Sequence, residues 1–351
     1  MDLNNICRQF YLPYNNLRIS PLGKGLINDT YLVLPEDRKE NQKFVLQRIN
    51  KNVFTEPDKV MHNLIRINQH LKSKGANYQE LVKSKLGKLF FIDPDSDYWR
   101  MTRFLENTIT LFEANTTDIA YEAGKTYGKF LNDLHDLSVD EIYETIPEFH
   151  NYANRIKQFK DSIQYNAYER SKKCVKEIEI TFEKLDYIHT FYALKLPIRV
   201  IHSDTKVTNI LFDSRSNKGR LVIDLDIAMP GSTLFDYGDM IRSFTNTLKE
   251  DDPDLDSIHV KPDIFEYVTK GFLESTKYFL LKNESEHMIL GAKIAILVQA
   301  IRNLTDYLNG DIYYKINYEN HNLHRAQNQL TLLAAIENQE NTLNQIIRKY
   351  L

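Results

Sequence analysis

IHSDTKVTNILFD, residues 201–213, is the stretch from which the rest of the chain is read. It sets His202, Asp204, Lys206 and Asn209 between β-branched and apolar residues on both sides, the pattern of a polar loop joining two short strands. VIDLD (222–226) follows, with Asp224 on a strand-like run twenty residues beyond Asp204, and then FDYGD (235–239). Carboxylates and an amide gathered at strand ends point to chemistry rather than to core.

Outward from this block the chain divides. Upstream, LRISPL (17–22), NDTYLVLP (28–35) and KFVLQRIN (43–50) alternate or bunch β-branched and aromatic residues, and KLFFI (88–92) and YWRMTRFL (98–105) add two strand candidates. Between them Pro57 opens a helix in which Val60, Leu64, Ile67 and Leu71 recur at three- and four-residue spacing until Gly75. After Leu105 the pattern turns helical. Thr117 and Asp118 can cap a helix with Ile119, Ala123, Tyr127, Phe130, Leu134 and Leu137 on one face, and a polar helical stretch covers 148–194. The β-rich block 198–226 interrupts, and helices resume from Phe235. The expected architecture is α+β and bilobal. A small antiparallel-sheet lobe spans 1–105 and a mainly helical lobe spans 106–351, with a ligand in the cleft between them.

Composition narrows the function. The 351 residues carry a net charge of −3, without the basic excess that drives binding to phosphate backbones, so nucleic acid is not an expected partner. MDLNNICRQFYLP lacks a basic segment followed by an apolar one, and the apolar run around Ile294 to Ala300 is broken by Lys293, Gln299 and Arg302. Neither a secretory signal nor a membrane span is expected. Cys7 and Cys174 are expected as free thiols, which suits a cytoplasmic setting. The choice between monomer and homodimer stays open. Glycine is scarce, at 12 residues, and Gly23, Gly25, Gly231 and Gly238 are expected at a nucleotide site, where backbone must approach phosphate.

H-x-D-x-x-x-x-N followed by a strand-borne aspartate is the layout of a kinase catalytic loop and its metal ligand. Phosphoryl transfer needs a carboxylate to orient and deprotonate the incoming hydroxyl, and hard oxygen ligands for Mg²⁺. Asp204 is the candidate base, Asn209 and Asp224 are the candidate metal ligands, and Lys206 can hold the γ-phosphate. His202 is expected to buttress the loop, and Asp236 to organise it by accepting backbone hydrogen bonds. Gly23 and Gly25 fit a phosphate flap on a hairpin. Arg48 stands at the end of the third strand, where a kinase strand presents its phosphate-pairing lysine, although no glutamate follows at His62, Asn63 or Arg66 to hold it. No G-x-x-x-x-G-K-[ST] occurs, which excludes a P-loop enzyme.

FVLQRINKNVF (44–54), IHSDTKVTNILFD (201–213), VIDLDIAMPGSTLFDYGDMIRS (222–243) and RNLTDYLNGDIYYK (302–315) together resemble the aminoglycoside phosphotransferase and choline kinase-like superfamily, and within it the N-acetylhexosamine 1-kinases. The resemblance implies a protein kinase-like fold, ATP with Mg²⁺, and phosphorylation of the anomeric hydroxyl of N-acetylglucosamine or N-acetylgalactosamine. By the same motifs it implies Asp204 as base, Asn209 and Asp224 on the metal, and Arg302 as a sugar contact with Asp306 one turn on. An intrahelical ion pair between Arg302 and Asp306 is the alternative. Ser203 departs from the glycine common in relatives. Another hydroxyl acceptor (aminoglycoside, choline or homoserine) and a pseudokinase are the competing readings.

Overall fold

The computed structural model describes residues 2–14, 16–23, 27–36 and 42–351. A short helix α1 (Leu3–Cys7) leads into β1 (Leu17–Pro21), β2 (Asp29–Pro35), β3 (Phe44–Arg48), α2 (Pro57–Ser73), β4 (Phe91–Ile92) and β5 (Tyr98–Arg103). The strands form one antiparallel sheet in the order β1-β2-β3-β5-β4. Side chains alternate across it. On one face Val33, Phe44, Leu46, Trp99 and Met101 are buried with Ile6, Cys7 and Phe10 of the α1 segment. Val45, Gln47, Arg100 and Thr102 occupy the other. Register therefore puts Arg48, opposite Trp99, and Arg100, opposite Gln47, on different faces.

The Val60, Leu64, Ile67 and Leu71 stripe of α2 is buried, as its spacing predicts. It enters the large core shared with the helical lobe, while the α1 face of the sheet keeps a separate small core. By packing, α2 bridges the lobes.

The second lobe continues through β6 (Thr108–Thr110), α3 (Thr117–Leu134), α4 (Tyr152–Tyr165), α5 (Val175–Glu183) and α6 (Asp186–Ala193). Then come β7 (Arg199–Ile201), β8 (Ile210–Asp213), β9 (Gly219–Val222), β10 (Met229–Gly231) and α7 (Thr233–Phe244). The chain closes with α8 (Pro262–Thr276), α9 (Lys282–Glu286), α10 (Met288–Leu308) and α11 (His321–Tyr350). β6-β8-β9 and β10-β7 make two small antiparallel sheets at the cleft floor. Helix α10 is long and apolar enough by composition to cross a membrane, yet most of it is buried as the lobe's central helix, against α4, α6, α7 and α11.

Several expectations change. The run 88–92 contributes two strand residues, and 148–194 breaks into three helices, the first ending at Asn166 in the left-handed conformation. Gly238 serves helix packing rather than a nucleotide: a Cβ there would stand 2.1 Å from the Gly291 carbonyl oxygen where α7 crosses α10. Gly231 likewise packs on Ile201, with a Cβ 2.5 Å from Ile201 Cδ1. Cys7 and Cys174 are buried and free.

Candidate active site

β7 delivers the loop 202–209 to the cleft floor, and buried hydrogen bonds hold it. His202 Nδ1 accepts the Asp204 backbone N–H at 3.2 Å, so its Nε2 donates to the Ile223 carbonyl oxygen at 2.9 Å, tying the loop to the segment that carries Asp224. Tyr127 and Phe130 press edge-on against the same ring. Ser203 has φ +70°, in the left-handed region that a side chain disfavours. Asp236, in the first turn of α7, fixes that conformation by accepting the N–H groups of His202 at 2.7 Å and Ser203 at 2.8 Å. Its complete burial nonetheless pushes the carboxyl up to about 7. Asp239 receives the Thr205 N–H at 2.8 Å and pairs with Arg242 at 2.9 Å, which reaches Glu250 at 2.8 Å.

Within this frame Asp204, Lys206 and Asn209 come together. Asp204 Oδ1 lies 2.8 Å from Lys206 Nζ, and Asn209 Nδ2 donates to Asp204 O at 3.0 Å and Oδ2 at 3.1 Å. Burial alone would raise the Asp204 carboxyl; the Lys206 ammonium outweighs it and leaves the group below the usual carboxylate range. Asp204 is thus ionised at neutral pH and able to accept a proton. Because the Asn209 amide nitrogen is committed to Asp204, its oxygen points elsewhere.

Asp224, at φ +62°, is reached by solvent from the cleft and makes no hydrogen bond or ion pair with another described residue. Enclosure between the lobes, then the Asp226 and Asp204 carboxylates, push it up to about 7. Carboxylates crowded together without a cation at Asp224 suit a divalent metal. Mg²⁺ takes few protein ligands and completes its shell with water and phosphate, so Asn209 and Asp224 fit it. Among the described residues no three His, Cys, Asp or Glu side chains form a closed metal cage.

The strand cation is corrected. Arg48 is exposed on the Trp99 face, 5.8 Å over that ring, paired with Asp29 and, at 3.2 Å, with Asp97. Parity turns it away from the cleft. Arg100, one strand over, is buried and ion-paired to the buried Asp226 of the VIDLD segment, with its Nε on Gln47 Oε1 at 3.0 Å. Asn28, following the hairpin turn, donates to Asp226 Oδ2 at 2.6 Å and accepts the Asn50 N–H at 2.9 Å. In place of the absent helix glutamate, Asn63 of α2 donates to the Tyr143 and Ala228 carbonyl oxygens at 2.7 and 3.1 Å. Gly23 has φ +74° with open space around it, as a turn glycine needs, while Gly25 lies outside the described residues.

At the far end of the cleft α10 presents Arg302. Its guanidinium stacks on Phe149, Tyr314 and Tyr313 at 5.1, 5.5 and 5.9 Å. Asp306 does not join it. Buried, Asp306 accepts the N–H groups of Tyr313 and Tyr314 at 2.8 and 2.9 Å and the Asn322 amide at 2.8 Å, so it shapes the loop that holds the tyrosines. Both the substrate contact and the intrahelical pair expected of Asp306 are therefore replaced by loop capping. His150 joins this wall to the catalytic loop through Ser203 Oγ at 2.9 Å. Sequence spacing gave no signal for Arg100, Asp226, Asn28 or His150, since their partners lie far along the chain.

The sequence of residues 18–255 matches the phosphotransferase enzyme family. Among solved structures, the fold resembles the microcompartment-associated aminopropanol kinase (TM-score 0.69, 14% identity, 97% of each chain covered). It also resembles choline kinase from Cryptosporidium parvum Iowa II (TM-score 0.57, 14% identity, 99% of each chain). A third is the amicoumacin kinase hAmiN in complex with AMP-PNP, Ca²⁺ and Ami (TM-score 0.60, 12% identity, 89% of this chain and 87% of that). At these identities the likeness establishes the fold, a kinase-like arrangement of a small antiparallel sheet over a helical lobe.

Proposed function

The chain belongs to the phosphotransferase enzyme family, and from that premise we propose that it moves the γ-phosphoryl group of ATP, with Mg²⁺, onto a hydroxyl of a small molecule, by preference the anomeric hydroxyl of an N-acetylhexosamine. The observation that carries the reading is the Asp204, Lys206 and Asn209 constellation, one ionised carboxylate with a cation at 2.8 Å and an amide at 3.1 Å, facing Asp224 across the cleft floor. The finer choice of a sugar rests on the resemblance of the VIDLDIAMPGSTLFDYGD and RNLTDYL segments and on Arg302 with its aromatic collar, since ring faces stack on sugars as they do on guanidinium.

In this reading Asp204 orients the acceptor hydroxyl and takes its proton as the new O–P bond forms and the bond to ADP breaks. Lys206 leaves Asp204 to neutralise the transferring phosphoryl group. Arg100 supplies the strand cation on the nucleotide side, held ready by Asp226 and Gln47. Asn209 and Asp224 would hold the metal, which supplies charge neutralisation on the triphosphate. Direct transfer of the phosphoryl group from ATP to the acceptor by these roles needs no covalent enzyme intermediate.

Coupled ADP release with N-acetylglucosamine, N-acetylgalactosamine, choline, homoserine and kanamycin as acceptors tests the proposal. Phosphorus NMR of the product separates an anomeric from a 6-phosphate. Sugar-dependent ADP with an anomeric product is expected; turnover on choline or kanamycin alone sinks the sugar reading.

A further inference from the structure

Several interior arginines are matched among the described residues. Arg100 pairs with Asp226, Arg199 with Glu284, Arg242 with Asp239 and Glu250, and Arg170 with Asp311. The wall formed by α4 and α10 differs. Arg302 and Arg155, both partly buried, have no carboxylate within 4.0 Å among the described residues. Nearby acids are committed elsewhere: Glu250 to Arg242, Gln299 and Asn303, Asp306 to backbone and Asn322, and the exposed Glu148, whose charge reaches Arg155 without an ion pair, to the Asn151 amide. Arg302 has instead an aromatic collar and Gln299 Oε1 at 3.3 Å, and Arg155 has Gln158 Oε1 at 3.0 Å.

Unanswered polar atoms accompany them. The Arg155 Nε–H donor and the His150 Nδ1, whose role follows from the ring's tautomer, are buried and without a hydrogen-bond partner. Burial, then the Arg302 and Arg155 charges, push His150 down to about 3, so the ring is neutral and faces the same positive field. Burial and the neighbouring Arg302 also push Arg155 down. Two guanidiniums without a carboxylate partner, with the Arg155 Nε–H unanswered and the catalytic loop reached through His150 and Ser203, point to what would complete the wall: negative charge bearing several acceptor oxygens.

We propose that this wall receives an anionic group of the acceptor, so that the substrate is a hydroxyl compound, a sugar on the reading above, carrying a carboxylate or phosphate held by Arg302 and Arg155 while its free hydroxyl reaches Asp204. The inference rests on the phosphotransferase reading and narrows its acceptor class. It also disfavours cationic acceptors, because two desolvated arginines would repel an aminoglycoside or choline at the same wall.

Three acceptors that share one anomeric hydroxyl test it: N-acetylglucosamine, its 6-phosphate and its 6-carboxylate. With wild-type protein, ATP and Mg²⁺, kcat/KM for at least one anionic sugar is expected to exceed that of the neutral sugar by about 10- to 100-fold, the usual range for a charge-assisted pair. The arm that wins tells phosphate from carboxylate. Arg155→Gln and Arg302→Gln are each expected to cut that preference to about threefold or less, through KM more than kcat. Equal or better use of the neutral sugar by wild type overturns the inference and leaves the kinase reading intact. If no acceptor turns over, calorimetry in the presence of AMP-PNP separates the two claims. Binding of an anionic sugar to wild type and its loss in Arg155→Gln supports the anion site while the sugar-kinase reading fails. Absence of binding by both anionic sugars overturns the anion site.

Discussion

On the catalytic-loop wall of the cleft, Asp204, Asp226 and Asp239 each face a cation, Lys206, Arg100 and Arg242, while among the described residues Asp224 has none and Asp236 answers backbone N–H groups instead. On the α4 and α10 wall the imbalance is reversed, with Arg155 and Arg302 lacking an acid partner among the described residues. On the proposed reading the walls differ because they would meet different halves of the reaction. The first would bind a metal and a polyanion together, which suits its holding both signs of charge in fixed register. The second would meet only the acceptor, and its surplus sign matches the anion proposed above.

Asp204→Asn is the most damaging single change to this contrast. It keeps the hydrogen-bonding shape beside Asn209 but removes the proton acceptor, so turnover is expected to fall by about 10³-fold or more, with nucleotide affinity by calorimetry nearly unchanged. Comparable loss of nucleotide binding would mean that Asp204 serves ground-state structure instead.

Next in size is the interlobe pair. Arg100→Gln leaves Asp226 buried without its cation and is expected to lower stability by about 3–5 kcal/mol in urea unfolding. Arg100→Met with Asp226→Leu should recover much of that stability and yet remain defective in ATP binding. Recovered binding in the double variant would show that the pair is a strut and nothing more.

The opposite wall supplies a pH signature. His150 is pushed down to about 3 by burial and by Arg302 and Arg155, whereas an unfolded histidine titrates near ~6.5. Below that value the unfolded chain binds a proton that the folded one refuses, so stability falls as pH drops from about 6.5 toward 4. His150→Gln is expected to remove about 1–2 kcal/mol of the loss between pH 7 and 5, read from urea midpoints. An unchanged pH slope would place His150 in a less positive setting.

Arg48→Ala should do least. Its ion pairs with Asp29 and Asp97 are exposed on the outer face, where such pairs are worth about 0–1 kcal/mol, and the KM for ATP should stay within about twofold of wild type. A large rise in KM would restore Arg48 to the nucleotide and break the assignment of that role to Arg100.

The two arginines show where the sequence was legible. The strands β1, β2, β3 and β5, the α2 stripe and the 201–213 loop follow from spacing and stand near the expected bounds. In contrast, 88–92 keeps two strand residues, β6 and β10 lie outside the expected strands, and Asp224, expected on a strand, lies beyond the end of β9 at Val222 with φ +62°. Arg48 misled because a cation at a strand end carries no mark of which face it takes; the Gln47 to Arg100 pairing sets that, and one residue of parity reverses the side. Asp306 misled for a related reason. Helix geometry put it near Arg302, and the following turn claimed it through Tyr313 and Tyr314.

By itself the sequence determined the two-lobed α+β plan and the catalytic loop, because strand alternation, helix stripes and a motif of eight residues are local and survive without knowledge of partners. Only the tertiary structure decided which face of the sheet each arginine takes, what Asp306 does, and that among the described residues Arg155 and Arg302 have no acid partner. Those outcomes depend on strand register, on the Arg100–Asp226 contact between residues 126 positions apart and on the turn after α10 that claims Asp306, and charge balance in a cleft is a property of the neighbours that folding assembles.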